Sequence, residues 1–380
     1  MEMIPSSTPS TSPALSLYPP FRTHPVCDHD HTGDQNPHLH DLRYAHLPPN
    51  PAQSRDNPYR FPLPRSDVLL HAGDLTKVGY SSEHETIVSM LKAADAELKL
   101  VIAGNHDITL DEEYFTSFGY RRHRKPMRLG TSEIPLIEDE HSLMQTIRTG
   151  TVPPLEDMKS YVRHIKDLYT NQSARDAGIR YLEEGTHTFV LSTGAKLTVY
   201  ASPYQPEFFN WAFGYPRTTD RFNPPPPGIS SSLPPPQNPV PDHPDIDIML
   251  THGPPAGVLD RVGAADSDRY VGCQHLLRAA ERARPRLYLF GHIHESWGAV
   301  RGAWNTFASG GIQQEGIHAD PEDMLEKRGA FYDVSSTSER PLRFGAETIF
   351  VNASICTISY QPRNAPWVVD LDLPAVGPGA

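Results

Sequence analysis

Val68-Leu69-Leu70-His71-Ala72-Gly73-Asp74 is a short apolar run that breaks off in a glycine and a carboxylate. A second run, Leu98-Lys99-Leu100-Val101-Ile102-Ala103, breaks off in Gly104-Asn105-His106-Asp107. Each reads as a buried strand with a polar tip. Between them, Ser82-x-x-Glu85 has the form of a capping box. Ile87, Met90, Leu91 and Ala94 then recur at helical spacing. Strand, helix and strand in so short a length predict a βαβ unit with a parallel strand pair. Both tips then project from the C-terminal edge of one sheet, where open α/β sheets place their sites.

The same pattern returns downstream. Ile246-Asp247-Ile248-Met249-Leu250 leads to Thr251-His252-Gly253-Pro254-Pro255, and Arg286-Leu287-Tyr288-Leu289-Phe290 leads to Gly291-His292-Ile293-His294. Residues 186–190 and 196–200 alternate around Thr193-Gly194, as a hairpin does. Helices are expected near 155–169 and 273–283, and final strands at 348–351 and 367–371. Residues 1–25, rich in Ser, Thr and Pro, read as disordered. The packed domain is expected over 26–372, with irregular insertions at about 32–66, 111–175, 216–244 and 315–345 and a short tail at 373–380. The proline-rich stretch 223–244 is unsuited to a central strand and is expected on the surface.

Four strand ends thus carry Asp74, Asn105-His106, His252, and His292 with His294. A single histidine after a strand is ordinarily a loop residue. Four such tips in order, each with glycine beside the ligand type, ask for another explanation. Glycine lets the backbone turn sharply and lets a metal or phosphate come close. Asp supplies a hard oxygen able to bridge two cations, and neutral imidazole suits Zn, Mn or Fe. Asn adds a neutral ligand that does not overcharge the site. Mixed N/O ligation of this kind suits a dinuclear centre.

Gly73-Asp74, Gly104-Asn105-His106-Asp107, His252-Gly253-Pro254-Pro255 and Gly291-His292-x-His294 resemble the second to fifth motifs of the calcineurin-like metallophosphoesterase superfamily. A closer resemblance is to its metallophosphoesterase-domain-containing (brain protein 239-like) phosphodiesterases. It is carried by His71-Ala72-Gly73-Asp74-Leu75-Thr76, Tyr200-Ala201-Ser202-Pro203-Tyr204-Gln205-Pro206, Phe209-Asn210-Trp211-Ala212-Phe213 and Leu250-Thr251-His252-Gly253-Pro254-Pro255. Val271-Gly272-Cys273, Phe290-Gly291-His292-Ile293-His294-Glu295 and Phe350-Val351-Asn352-Ala353-Ser354 complete it.

The resemblance implies an α/β fold, a four-layer α-β-β-α sandwich of two mixed sheets flanked by helices. It implies two divalent ions (Mn, Fe or Zn) and a phosphodiesterase acting on a small, cyclic-nucleotide-like phosphoester through a metal-activated hydroxide. Asp74 bridges both ions in that scheme, and Asn105, His252 and His292 hold one of them. His294, with Asp30 and His31, holds the other. His106 stands beside the phosphate as proton donor to the leaving oxygen, and Asp107 orients it. Two ions about 3.5–4 Å apart clamp the attacking and leaving oxygens of an in-line displacement. The superfamily's first motif, Asp-x-His, does not occur in Val26-Cys27-Asp28-His29-Asp30-His31-Thr32-Gly33. Asp30 and His31 fall nearest its positions, with Asp28 as the competing carboxylate. The alternative reading is a scaffold or regulator that keeps the fold and has lost a metal through this segment.

Composition narrows the remaining classes. The chain has 380 residues, with 34 Lys and Arg against 46 Asp and Glu, a formal charge of −12. Duplex nucleic acid as the main partner is disfavoured, because counterion release needs clustered cations. No stretch approaches the roughly 20 apolar residues of a membrane span. The N-terminus lacks signal-peptide features, so a cytoplasmic location is expected. Three cysteines, odd in number and far apart, disfavour a disulfide framework. A small phosphoester is the only partner the sequence suggests; no protein partner is identifiable. The basic run at 121–125 reads as a solvated loop, Arg261 as an ordinary loop residue that is nonetheless close enough to the His252 loop to reach substrate, and Phe208, Phe209, Trp211 and Phe213 as core residues or a platform for a nucleobase.

Overall fold

The computed structural model describes residues 14–18 (as backbone), 62–122, 152–225, 235–263, 269–304, 311–358 and 362–376. Two mixed sheets face each other. The first contains β1 (Ala14–Tyr18), β2 (Val68–His71), β3 (Leu98–Val101) and β4 (Ile179–Tyr181), mutually parallel. The second is built on β5 (Gly185–Val190), β6 (Lys196–Ser202), β7 (Ile248–Thr251) and β8 (Leu287–Phe290). It continues through β9 (Gly298–Trp304), β10 (Ile312–Ile317) and β12 (Glu347–Asn352). The first sheet is closed by β11 (Ala330–Asp333) and β13 (Trp367–Asp370). The strand orders are β11-β13-β1-β2-β3-β4 and β10-β9-β12-β8-β7-β6-β5. Three helices matter to the packing: α1 (Ser81–Ala93), α2 (Leu155–Thr170) and α3 (Gln274–Ala283).

The central strands are apolar on both faces because both faces are covered, as a parallel sheet requires. Val68, Leu70, Leu98 and Leu100 pack against Leu197, Val199, Ile248, Leu250, Leu287 and Leu289, which forms the layer between the sheets. The opposite face of the first sheet, with Leu69 and Val101, meets Ile87 and Leu91 of α1 and Val162 and Ile165 of α2. The opposite face of the second sheet, with Met249, Tyr288 and Phe290, meets Leu276 and Ala280 of α3. Helix, sheet, sheet and helix make the four layers expected. No helix among the described residues is long and apolar enough to cross a membrane.

Four expectations need correction. Ala14–Tyr18, assigned to a disordered N-terminus, is a strand inserted between β2 and β13. It pairs on both sides, so its hydrogen bonds come from tertiary partners that a five-residue run in Ser/Pro surroundings does not reveal. The sheet therefore begins before residue 26. The cap expected at Ser82 and Glu85 falls earlier: the Glu83 carboxylate accepts from the Tyr80 N–H at 3.1 Å. Residues 315–345 are no mere insertion, since they supply part of β10 and all of β11, which pairs with β13. The proline-rich segment also packs. Val240 is buried, its N–H donates to the Phe222 carbonyl at 2.9 Å, and the Tyr200 hydroxyl donates to the Asn238 carbonyl at 2.9 Å.

Away from the site, β9 and β12 are tied by a buried ion pair. Arg301 donates to Glu347 at 2.9 Å, and the two side chains are only 5% and 8% exposed. Burial alone would raise Glu347, but hydrogen bonds from Arg343 and Arg301 outweigh it and hold the carboxyl down at about 2. A carboxylate lowered on folding adds stability above its unfolded pKa, about 4.3, and loses it as pH falls toward 2. Glu347→Gln leaves Arg301 as an uncompensated buried cation, at a cost of about 3–5 kcal/mol. Thermal melts should show a lower midpoint for the variant at pH 7. The gap to the parent should narrow as pH falls from about 4 to 2.

Candidate metal centre

The site lies where β2, β3, β7 and β8 end. Gly73 and Asp74 turn the chain out of β2 through the left-handed region, with φ of 88° and 54°. Glycine is needed at 73 on a second count, because a Cβ there would lie 2.4 Å from the Ala103 carbonyl oxygen. The two strand-end loops thereby come into direct contact. The Asp74 side chain is 1% exposed, and its Oδ1 accepts from the His106 N–H at 2.9 Å.

His252 and Asn105 are fully buried beside it. The Nδ1–H of His252 donates to the Ala72 carbonyl at 2.7 Å. That fixes the tautomer, as a backbone carbonyl does behind a metal-binding histidine, and leaves Nε2 with a lone pair. Nε2 lies 2.9 Å from Asn105 Oδ1 and 3.5 Å from Asp74 Oδ1. Three lone-pair atoms so close repel one another unless a cation sits among them. Their separations match those of neighbouring ligands at about 2.0–2.2 Å from a common ion. One ligand atom each from Asp74, His252 and His292 lies within 4.8 Å of the others. The donor set of two imidazoles, a carboxylate and an amide oxygen fits a divalent transition ion.

His292 takes a left-handed backbone, φ 65°, and its ring lies 4.9 Å from that of His252. Burial first, then the neighbouring His252 imidazole, push its pKa well below the usual range. The neutral, metal-competent form follows. Gly104 holds the cradle open: a Cβ there would lie 2.3 Å from Asp74 N and 2.5 Å from both Asp74 Oδ1 and His252 Cε1.

His106 stands at the edge, half-buried. Its Nδ1–H donates to the Lys77 carbonyl at 2.7 Å, and its ring centroid is 4.0 Å from that of Trp211. Asp107 does not orient it, contrary to expectation. Asp107 instead accepts from Leu75 N, Thr76 N, the Thr76 hydroxyl and Gly104 N, all at 2.8–3.0 Å. It clamps the two loops rather than the imidazole. Burial and then the Asp74 carboxylate push Asp107 up to about 8, against the pull of these donors. All four contacts are donors and therefore suit an ionised carboxylate.

His294 is not among the three converging residues. Its Nδ1–H donates to the Thr357 carbonyl at 3.2 Å. Asp30 and His31, with Asp28, lie outside the described residues. β1 nevertheless ends at Tyr18 opposite His71, so the chain leaves it at the edge that carries Asp74.

Two contributors were not assigned roles from sequence. Asn352, fully buried at the end of β12, donates to the carbonyls of Leu259 and Ile293 at 3.1 and 2.9 Å. It ties the loop after His252 to the loop carrying His292, and its amide in a strand-end motif was the available signal. Trp211 was visible as an aromatic, but nothing local placed it against His106.

Known proteins place the chain in a family. The profile of the calcineurin-like phosphoesterases matches residues 31–296. Metallophosphoesterase domain-containing protein 1 of Homo sapiens and that of Mus musculus are each 30% identical over 322 residues, 84% of this chain and 69% of theirs. A UPF0046 protein of Caenorhabditis elegans is 27% identical over 267 residues, 69% of this chain and 54% of its own. With its paired sheets and its cradle of Asp74, Asn105, His252 and His292 at their shared edge, the chain belongs to the calcineurin-like phosphoesterase family.

Proposed function

We propose that this metal-dependent phosphoester hydrolase is a phosphodiesterase for small substrates, of cyclic-nucleotide size, working with two divalent ions. The observation that carries the reading is the convergence of His252 Nε2, Asn105 Oδ1 and Asp74 Oδ1 around one point. These ligand atoms lie at the bottom of the site, on residues at most 1% exposed, which favours a slender phosphoester over a folded phosphoprotein. Asp74, Asn105, His252 and His292 would hold one ion, and Asp74 with His294, Asp30 and His31 would hold the other, with Asp28 the rival carboxylate. When bound, divalent ions supply positive charge for the phosphoryl oxygens and acidify a water toward neutral pH.

The chain's own groups do the rest. His106 keeps Nδ1–H on the Lys77 carbonyl, so a proton handed on by the ring comes from Nε2. As the water oxygen bonds to phosphorus and the ester P–O bond breaks, the Nε2 proton passes to the leaving oxygen. The proton released by the water restores the imidazolium. A diester and water thus give a monoester and an alcohol, with atoms and charge conserved. Asn352 and Asp107 keep the loops in register while this happens.

The test compares metal-stripped protein with protein reloaded with Mn²⁺, Fe²⁺ or Zn²⁺, using bis(p-nitrophenyl) phosphate and p-nitrophenyl phosphate. Hydrolysis should need the metal and favour the diester in kcat/KM. Faster turnover of the monoester would overturn the diester assignment. Turnover by the stripped protein would overturn the metal assignment.

A further inference from the structure

The loop over the metal cradle has an unusual construction. Phe208 and Phe209 are 47% and 73% exposed, and their rings pack edge to face at 4.6 Å. The Phe208 ring also stands edge-on to His292 at 5.8 Å. Nothing about the loop is loose. The Trp211 N–H donates to the Phe208 carbonyl at 3.1 Å, and the Asn210 N–H donates to Glu207 at 2.9 Å. The Tyr114 hydroxyl donates to the Asn210 carbonyl at 2.7 Å, and the Phe213 N–H donates to Asp111 at 2.8 Å.

Phe209, Asn210 and Phe213 all have positive φ, at 47°, 53° and 56°. A bulky side chain in that region is strained, and strain of this kind concentrates at functional sites. Ile358, next to the Thr357 that accepts from His294, is 67% exposed. The protein therefore holds apolar rings rigidly in solvent at the entrance to a charged cradle.

We propose that Phe208 and Phe209 form a preformed subsite for a flat aromatic ring carried by the phosphoester. This rests on the phosphoesterase reading above and adds the chemical class of the ester group. Phenyl side chains have no donors or acceptors with which to read a sugar or an aliphatic alcohol. They do offer faces and edges to another ring, in offset or edge-to-face contact. Phe208, next to His292, suits a ring attached close to phosphorus, as in a simple aryl ester. Phe209, one ring further out, suits a ring set back by a sugar, as in a nucleotide.

Binding to the metal-loaded protein, measured by calorimetry, separates these cases. Three probes serve: methylphosphonate, phenylphosphonate and adenosine 5′-phosphate. At least one ringed probe should bind roughly tenfold more tightly than methylphosphonate, in keeping with the strength of ring stacking on aromatic side chains. Phe208→Ala should abolish a preference for phenylphosphonate, and Phe209→Gly a preference for adenosine 5′-phosphate. Phe209→Gly also relieves the positive-φ strain, so its thermal midpoint should hold or rise, which separates loss of the ring from loss of fold. Metal-dependent methylphosphonate binding without any preference for a ring overturns the subsite alone. So does a ring preference that both variants retain. Failure of all three probes to bind in a metal-dependent way overturns the phosphoesterase reading itself.

Discussion

Gly104→Ala is expected to lower metal-dependent hydrolysis by about two orders of magnitude or more, with the fold retained. The added methyl would lie 2.3 Å from a backbone nitrogen and 2.5 Å from Asp74 Oδ1 and His252 Cε1. Real Cβ contacts do not come so close, so something must move. The backbone of Asp74 cannot move easily, because Asp107 fastens Leu75 and Thr76 to the same loop. Displacement therefore falls on the Asp74 carboxylate or the His252 ring, the two groups the ion needs. Misplacement by about 1 Å can cost about 10²-fold, and overpacking costs about 1–3 kcal/mol of stability. Metal affinity, kcat and thermal midpoint measured together would check this. Parent-like turnover would mean that hydrolysis does not depend on an ion held in this cradle.

His106→Ala is expected to lower kcat by about 10²–10⁴, the scale of a positioned acid–base group, with metal content unchanged. Asp74 is held by the His106 backbone N–H, not by its imidazole, so alanine keeps that contact. Loss of the ion from the variant would make His106 a ligand and overturn its assigned role. A further check is the leaving group. p-Nitrophenolate needs little protonation, so its esters should lose less rate than alkyl esters.

The strand ends were legible because each joins a continuous apolar run to glycine and a ligand type. Gly73 and Gly104 mark where backbone must turn or be approached closely, and the structure brings Asp74, Asn105, His252 and His292 to one edge. The two facing sheets were not contained in the strand patterns themselves, which show burial but not against what. β1 escaped because Ala14-Leu15-Ser16-Leu17-Tyr18 has weak local strand character; neighbours on both sides make it a strand. Asp107 was misassigned because adjacency in sequence suggested His106, whereas the peptide turn directs its carboxylate back to Gly104, Leu75 and Thr76. Val240 was read as surface because proline dominates its segment, yet one apolar residue near Phe222 suffices to anchor it.

Counting Mn²⁺ ions per chain after titration into metal-stripped protein tests the cradle most directly, with His252→Ala alongside and circular dichroism to confirm its fold. The parent should take up at least one tight ion, with a second if Asp74 is shared, and hydrolysis of bis(p-nitrophenyl) phosphate should appear in step with it. His252→Ala should lose the ion and the hydrolysis together. A parent that binds no ion, or a folded His252→Ala that binds and hydrolyses as the parent does, would contradict the account.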